Sequence, residues 1–207
     1  GVARFISHLD LNRCMARAVK RAGIPAWYTE GFNPHLFLTF ALPLSLGTEG
    51  EMESMDLKIV KDMPLWEIQK RLNQCLPEGL TVTGVTLPEE RPGEIDAAEY
   101  EIILEGFSLP AEKAVEKIES VCAQPQLLTE KKTKAGNKEI DLKPSLRSMR
   151  MQVLGDKVKM LLLLPAGSRE NINPSLLLDT IFAGWDQKPF YRIRRTKVMD
   201  LHGNLFH

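Results

Sequence analysis

The segment LRSMRMQVLGDKVKMLLLL, residues 146–164, has the pattern of a β-hairpin. Its two runs, residues 146–154 and 157–164, are mostly apolar and have the length of ordinary strands. The dipeptide Gly155-Asp156 between them favours a tight two-residue turn. We therefore predict two antiparallel strands that pair directly with each other.

Further elements are predicted on both sides of this hairpin. A strand at Tyr100–Leu104 and a helix at residues 110–122 precede it. A helix that begins at Asn173 or Ser175 and a strand at Phe190–Leu201 follow it. The resulting order, βαββαβ, is that of a ferredoxin-like unit with an antiparallel sheet.

The first half of the chain is predicted to have the same element order, although its residues do not repeat. The predicted elements are a strand ending at Phe5-Ile6-Ser7, a helix from Asp10 to Gly23, strands at 35–42 and 52–59, a helix from Pro64 through Leu72, and a strand at 80–87. We therefore predict an α+β protein of two tandem ferredoxin-like units. They cover residues 1–90 and 97–207, with a connector rich in Pro, Gly and acidic residues at 88–96.

The composition excludes several classes of protein. With 43% hydrophobic and 26% charged residues, the chain is typical of a soluble globular protein and not of a disordered or collagen-like one. The longest apolar run, residues 160–164, is far shorter than the roughly 18 residues of a membrane span. Cys14, Cys75 and Cys122 lie too far apart for a disulfide framework or a CxxC metal site, so we expect a cytoplasmic protein. Because the sequence opens at Gly1 without Met, we also expect upstream residues to be missing.

The charges are distributed unevenly although the formal net charge is zero. Residues 48–130 have 7 Lys/Arg against 18 Asp/Glu, whereas residues 131–207 have 15 against 7. This asymmetry indicates an oriented electrostatic surface, or two regions that attract each other.

Two polar clusters in the first half form a candidate pocket. Its residues are His8, Asp10, Arg13, Glu30, Phe32, Asn33 and His35. The first three lie at the start of a predicted helix, where backbone N–H groups can bind an anion. The others lie in a loop, and loops on rigid scaffolds often bear function. If the clusters meet, two histidines and two carboxylates could do acid/base chemistry, but the spacing matches no metal motif, so we assign no metal. The alternative is structural: Asp10 caps the helix, and Phe32 packs in the core.

Basic residues of the second half form a candidate nucleic-acid-binding surface. They are Lys131, Lys132, Lys138, Arg147, Arg192, Arg194 and Arg195. The lysines belong to a predicted hairpin loop, and alternation along the last strand places Arg192 and Arg194 on one face and Arg195 on the other. Arginine side chains on a sheet can follow a phosphate backbone. The alternative is an edge strand that its charges protect against aggregation.

Common catalytic motifs are absent from the sequence. It contains no GxxxxGK[ST], GxGxxG, HExxH or GxSxG pattern, which removes support for nucleotide hydrolases, dinucleotide enzymes, zincins and serine hydrolases. It also contains no CxxxCxxC motif for an iron–sulfur cluster.

Five short motifs follow one another along the chain: RFISHLD (residues 4–10), RAGIP (21–25), EGFNPH (30–35), FALPL (40–44) and IDLKP (140–144). Together they resemble the bacterial radical-SAM-linked domain of unknown function. The resemblance covers most of the chain and is strongest in residues 4–50.

The resemblance implies a partner and places the cofactors in it. Domains of this kind are encoded beside a radical SAM protein or fused to its C-terminus, often with a cobalamin-binding-like region, and near genes for ribosomes and RNA processing. The iron–sulfur cluster and S-adenosylmethionine are therefore expected only in the partner, and no cofactor is expected in this chain. In its tandem fold and basic second half, the family is also similar to RNA-binding repeat-associated CRISPR proteins, an analogy that transfers no catalytic residue.

Three functions follow as hypotheses. The favoured one is an accessory module that presents a structured RNA, such as tRNA or rRNA, to a radical SAM enzyme. The second is an RNA-processing or RNA-modifying enzyme that uses His8 or His35 as general acid or base. The third is a protein–protein adaptor that docks on the radical SAM protein through the acidic middle of the chain.

Overall fold

The structure is a computed structural model that describes residues 1–133 and 136–206, without the side chains of Lys131, Lys132, Thr133 and Asn137. The protein is α+β, as predicted, and the described residues form four α-helices and nine β-strands. It divides into two compact units, Gly1–Pro92 and Gly93–Phe206. Among the helices of the described ranges, none combines the length and apolar composition that a membrane crossing requires.

The first unit has two helices and short strands. Its elements are a 3-10 helix Val2–Phe5, α1 His8–Arg21, β1 Leu38–Phe40, β2 Thr48–Gly50, β3 Met55–Leu57 and α2 Leu65–Asn73. Strands β1 and β3 pair antiparallel. The core forms where Ala18 and Val19 of α1 meet Ile68 and Leu72 of α2, because the apolar residues of both amphipathic helices lie on one face.

Two predictions for the first unit are wrong. Phe5-Ile6-Ser7 does not end a strand: Phe5 closes the 3-10 helix, and Ser7, not Asp10, is the N-cap of α1. Residues 80–87 form no strand either. The backbone of Val82 is instead bound by side chains of α2, since its N–H donates to Asn73 Oδ1 at 2.8 Å and its carbonyl accepts from Asn73 Nδ2 at 2.9 Å. A buried or half-buried segment can satisfy its backbone in this way without joining a sheet.

The second unit follows the predicted order of elements more closely. Its elements are β4 Ile95–Glu105, α3 Ala111–Cys122, β5 Leu128–Thr133, β6 Gly136–Asp141, β7 Ser148–Leu154, β8 Lys157–Pro165, α4 Pro174–Ile181 and β9 Phe190–Asp200. Strands β5 and β6 form a separate two-stranded sheet. The predicted hairpin is β7 and β8, which pair antiparallel around Gly155-Asp156.

Four strands of the second unit are adjacent in the order β9-β4-β8-β7, and each neighbouring pair is antiparallel. Apart from the inserted β5–β6 hairpin, the chain order of this unit is βαββαβ. The first unit lacks that order, so the tandem arrangement of two ferredoxin-like units is not confirmed.

One face of this sheet packs against helices to form the core. Alternate residues of β4 and β8 are buried, among them Ile102, Leu104 and Met160. Helix α3 contributes Cys122, whose Sγ lies 3.8 Å from Met149 Sδ in β7. Burial raises the pKa of the Cys122 thiol to about 11, so this cysteine is a packing residue and not a nucleophile.

Candidate nucleic-acid interface

The face of the sheet opposite α3 bears most of its charges. Strand alternation turns one set of residues of β4, β7, β8 and β9 away from the buried core. The charged members of this set, called the charged face below, are Glu99, Glu101, Glu105, Arg150, Lys157, Lys159, Arg192, Arg194 and Lys197.

Each glutamate of the charged face forms an ion pair with a lysine of a neighbouring strand. Lys157 Nζ lies 2.6 Å from Glu105 Oε2, and Lys159 Nζ lies 2.5 Å from Glu101 Oε2. On the other side of β4, Lys197 Nζ lies 3.1 Å from Glu99 Oε1. The three carboxylates along β4 are therefore neutralised by cross-strand partners.

The pKa of one of these groups shows the local balance of charge. The hydrogen bond and charge of Lys157, and more weakly the charge of Arg192, hold the pKa of Glu105 below its ordinary value. In turn, the Glu105 carboxylate raises the pKa of Lys157. Both groups stay ionised near neutral pH, so the pair contributes no net charge there.

Arginines give this face its positive surplus. The charged face has six Lys or Arg against three Glu, whereas residues 93–206 as a whole have 17 against 16. Arg150 and Arg192 are exposed and form no ion pair with any residue that the structure describes. Arg150 and Arg192 lie on β7 and β9, the first and last strands of the order β9-β4-β8-β7, so two guanidinium groups flank the neutralised middle.

The structure separates the predicted basic residues into several environments. Arg192 and Arg194 lie on the charged face, as strand alternation predicts. Arg195 has a relative exposure of only 3%, so burial removes it from the predicted surface. Arg147 lies at the start of β7 and forms an ion pair with Asp96, which lowers the pKa of that carboxyl.

The predicted lysines lie on the β5–β6 hairpin. Lys138 is exposed, and its backbone stands opposite Lys131 in the strand register. The side chains of Lys131 and Lys132 lie outside the described residues.

Four basic residues of the charged face were not among the seven candidates for the binding surface: Arg150, Lys157, Lys159 and Lys197. The signal that would have found them is the strand register. Arg194 lies opposite Glu101, Glu101 opposite Leu161, and Leu161 opposite Arg150, so alternation along the strands gives most of the set. Lys197 joins it through a register shift between Glu99 and Tyr100, which places Lys197 opposite Glu99.

The first cluster of the candidate pocket lies at the N-terminus of α1. His8 Nε2 lies 2.9 Å from Asn12 Nδ2, and the His8 ring contacts Phe40 edge-on at 5.5 Å between centroids. His8 Nδ1 is buried and has no hydrogen-bond partner among the described residues. Hydrogen bonds from Ser7 and Arg13 hold the pKa of Asp10 below its ordinary value. The observed contacts of Asp10 are those of a residue that stabilises the first turn of a helix.

The second cluster forms a separate, closed loop. The His35 N–H donates to Thr29 Oγ1 at 3.1 Å, and the Thr29 N–H donates to the His35 carbonyl at 2.9 Å. Phe32 has a relative exposure of 106%, so the alternative that it packs in the core is wrong. Glu30 and Asn33 are also exposed.

No described hydrogen bond or ring contact joins the two clusters. The His8 ring contacts Asn12 and Phe40, whereas the His35 ring contacts Thr29 and Asn33. Across the described ranges, no three His, Cys, Asp or Glu side chains lie close enough to hold a metal ion together. No described contact therefore supports a site that uses both histidines, and the use of His8 or His35 as general acid or base stays a prediction.

The later motif IDLKP, residues 140–144, has a structural role at the end of β6. Asp141 Oδ1 accepts from the N–H groups of Leu127 at 2.8 Å and Lys143 at 2.9 Å. Leu142 is 1% exposed. These contacts fix the end of β6 and give Asp141 and Leu142 structural roles there.

Comparisons with known proteins give a family and a distant structural likeness. Residues 1–174 match a family described as "Uncharacterized protein conserved in bacteria (DUF2344)". No curated protein matches the sequence. The chain is similar to a chain in the crystal structure of a Cbf5-Nop10-Gar1 complex, with 12% identity, a TM-score of 0.49, and coverage of 89% of this chain and 44% of that one. The chain thus spans less than half of that protein, and a likeness at this level indicates no function.

Proposed function

Since this chain belongs to the DUF2344 family of uncharacterized proteins conserved in bacteria, we propose a function from its own geometry. The protein is an accessory RNA-binding module that acts with a radical SAM enzyme in the cytoplasm. The observation that supports this proposal most directly is the positive surplus of the charged face, where exposed Arg150 and Arg192 flank neutralised Lys–Glu pairs.

Arginine on a flat sheet suits the recognition of a nucleic-acid backbone. The guanidinium group stays charged at every accessible pH and presents a planar fork of donors to a phosphate. Because the lysines already have carboxylate partners, a phosphate gains most from the two arginines, which form no ion pair with a described carboxylate. Arg194 is half-buried on the same face and adds to the positive potential.

The strand order of the second unit supports RNA over duplex DNA. We treat this unit as one ferredoxin-like βαββαβ unit, and one class of four-stranded sheets of that order binds single-stranded RNA on its exposed face, with aromatic side chains stacked on bases. The apolar residues on this side of the sheet include aliphatic Ile103, Leu161 and Leu163, and also Phe190, which lies opposite Glu105 and is 72% exposed. Contacts to the phosphate backbone are therefore expected along the middle of this face, and base stacking only beside Phe190 at the start of β9.

The radical SAM partner enters the proposal through the motifs of residues 4–50. The iron–sulfur cluster and S-adenosylmethionine would belong to that partner. The division of labour that we propose is that this chain holds the RNA and the partner modifies it.

The experiment that tests the proposal compares two double variants of the full chain. Arg150→Ala/Arg192→Ala removes the surplus arginines, and binding to total tRNA is measured by fluorescence anisotropy over a series of salt concentrations. Each lost phosphate contact lowers the slope of log K against log salt by about 0.7 for single strands. The double variant is expected to bind more weakly and to lose about 1.4 from that slope.

The matched control removes the same charge elsewhere in the second unit. Lys113 is exposed on α3 and pairs with Glu116, and Lys188 pairs with Asp179 of α4. Lys113→Ala/Lys188→Ala is expected to leave the slope unchanged. Equal losses in both double variants, or no loss in either, would contradict the assignment of the charged face.

A further inference from the structure

The loop Thr29–His35 displays an aromatic ring to solvent on a rigid base. Phe32 lies near its middle and is the most exposed large apolar side chain of the described residues, at 106%. Gly31 has a φ of 124°, a conformation that favours glycine and turns the chain just before Phe32. A phenylalanine held in this position has no packing role in the fold and is accessible to another molecule.

Hydrogen bonds at the base of the loop fix it before any ligand binds. The backbones of Thr29 and His35 are joined at 2.9 Å, and Tyr28 and Leu36 continue this contact as a β-bridge. Thr29 Oγ1 lies 3.0 Å from His35 Nδ1 and accepts from the His35 N–H at 3.1 Å. A loop ordered in this way loses little further entropy on binding.

Polar groups on both sides of Phe32 are available to a ligand. In the part of the chain that the structure describes, the Glu30 carboxylate and the Asn33 side-chain amide have no hydrogen-bond partner. A carboxylate accepts from amino groups of bases, and an amide both donates to and accepts from base edges. A stacking ring between an acceptor and an amide is the combination that recognises one unstacked base.

We infer that the loop Thr29–His35 is a binding site for a single unpaired nucleobase, with Phe32 stacked on the base and Glu30 and Asn33 bonded to its edge. This inference rests on the proposed RNA-binding function and adds a second mode of contact to it. The loop contains no Lys or Arg, and Glu30 repels phosphate, so the loop contacts the base and not the backbone.

The charge of the loop makes this site distinguishable from the charged face. Stacking involves no release of counterions, whereas phosphate contacts do. Loss of Phe32 is therefore expected to weaken binding at every salt concentration by the same factor. Loss of Arg150 and Arg192 instead lowers the slope of log K against log salt.

The test uses the full chain with short single-stranded homopolymers of each base and with total tRNA. Phe32→Ala is expected to weaken binding about 5- to 150-fold, the range for loss of one base–aromatic stack, with an unchanged salt slope. Phe32→Trp is expected to restore binding, and Phe32→Leu is not, because leucine keeps apolar area but has no π-face. Val60→Ala, which truncates another exposed apolar residue of the first unit, is the control and is expected to have no effect.

The other possible outcomes contradict the inference, each for a different reason. If the protein binds RNA and Phe32→Ala binds equally well, the base site is wrong, and the RNA-binding role proposed for the charged face is unaffected. If Phe32→Leu restores binding, Phe32 contacts the RNA by burial of apolar area and not by stacking. If the unaltered protein binds neither probe, the base site and the proposed function both fall.

Discussion

The carboxylate of Asp200, the last residue of β9, binds the backbone of the turn that follows this strand. Asp200 is 8% exposed, and its oxygens accept from the N–H groups of His202 and Asn204 at 2.8 Å each and from Asn204 Nδ2 at 3.1 Å. Burial raises the pKa of Asp200, but these hydrogen bonds outweigh it and hold the pKa below its ordinary value. Three donors therefore depend on one negative charge.

The lowered pKa of Asp200 predicts a pH dependence of stability. Because the pKa of the folded state lies below that of the unfolded chain, the stabilisation is fully present above about pH 4 to 5 and is lost as the pH falls through the folded value. Asp200→Asn is expected to have a lower Tm at pH 7 and a smaller fall in Tm between pH 5 and pH 3 than the unaltered protein. Thermal unfolding followed by circular dichroism measures this. Asp186→Asn, at an exposed acid of the same unit, serves as control, and an equal response of the two variants would refute the role of Asp200.

At the scale of elements, the second unit could be predicted from the sequence and the first could not. The strands β4, β8 and β9 are 9 to 11 residues long, and their alternation is visible without a structure. The strands of the first unit have three residues each, which is too short for alternation to distinguish them from turns. The side chain of Asn73 satisfies the backbone of Val82, and no local pattern reveals such a contact.

For the candidate sites, too, contacts between residues distant in sequence could not be predicted. Alternation along β9 placed Arg192 and Arg194 on one face and Arg195 on the other, but only the pairing of strands shows which face is buried. For the loop Thr29–His35, sequence left open whether Phe32 packs or projects. Its exposure depends on the hydrogen bonds between Thr29 and His35, which are six residues apart.

The start of α4 allows a direct test of a predicted helix cap. Asn173 Oδ1 accepts from the Ser175 N–H at 3.0 Å, and Pro174 occupies the first helical turn. Asn173→Ala is expected to lower the free energy of unfolding by about 1 kcal/mol, since an N–H of the first turn loses its partner. Urea denaturation measures the difference. Asn171→Ala removes an exposed amide two residues earlier and is expected to have a much smaller effect; similar losses would show that Asn173 does not act as the cap.

For the whole molecule, the important electrostatic property is the segregation of charge and not its sum. The formal net charge is zero, so no long-range attraction draws the whole chain toward a polyanion. Binding has to come from local surfaces. The charged face is one of them, with a surplus of three positive charges. A ligand that meets only this face gains ionic contacts, whereas a ligand with unpaired bases also gains contacts at the loop Thr29–His35.

This segregation predicts a preference between two polyanions of similar charge density. Heparin offers sulfates and carboxylates without bases, so it can replace the ionic contacts of RNA but not base stacking. In competition against labelled tRNA, unlabelled tRNA is therefore expected to displace the label at a lower concentration of negative charges than heparin does. The difference should widen as salt rises, because ionic contacts weaken and stacking does not. Equal displacement, charge for charge, would mean that the protein is a general polyanion binder. Binding of neither would contradict an RNA-binding module, and the next test would be whether the acidic segment, residues 48–130, binds a radical SAM protein.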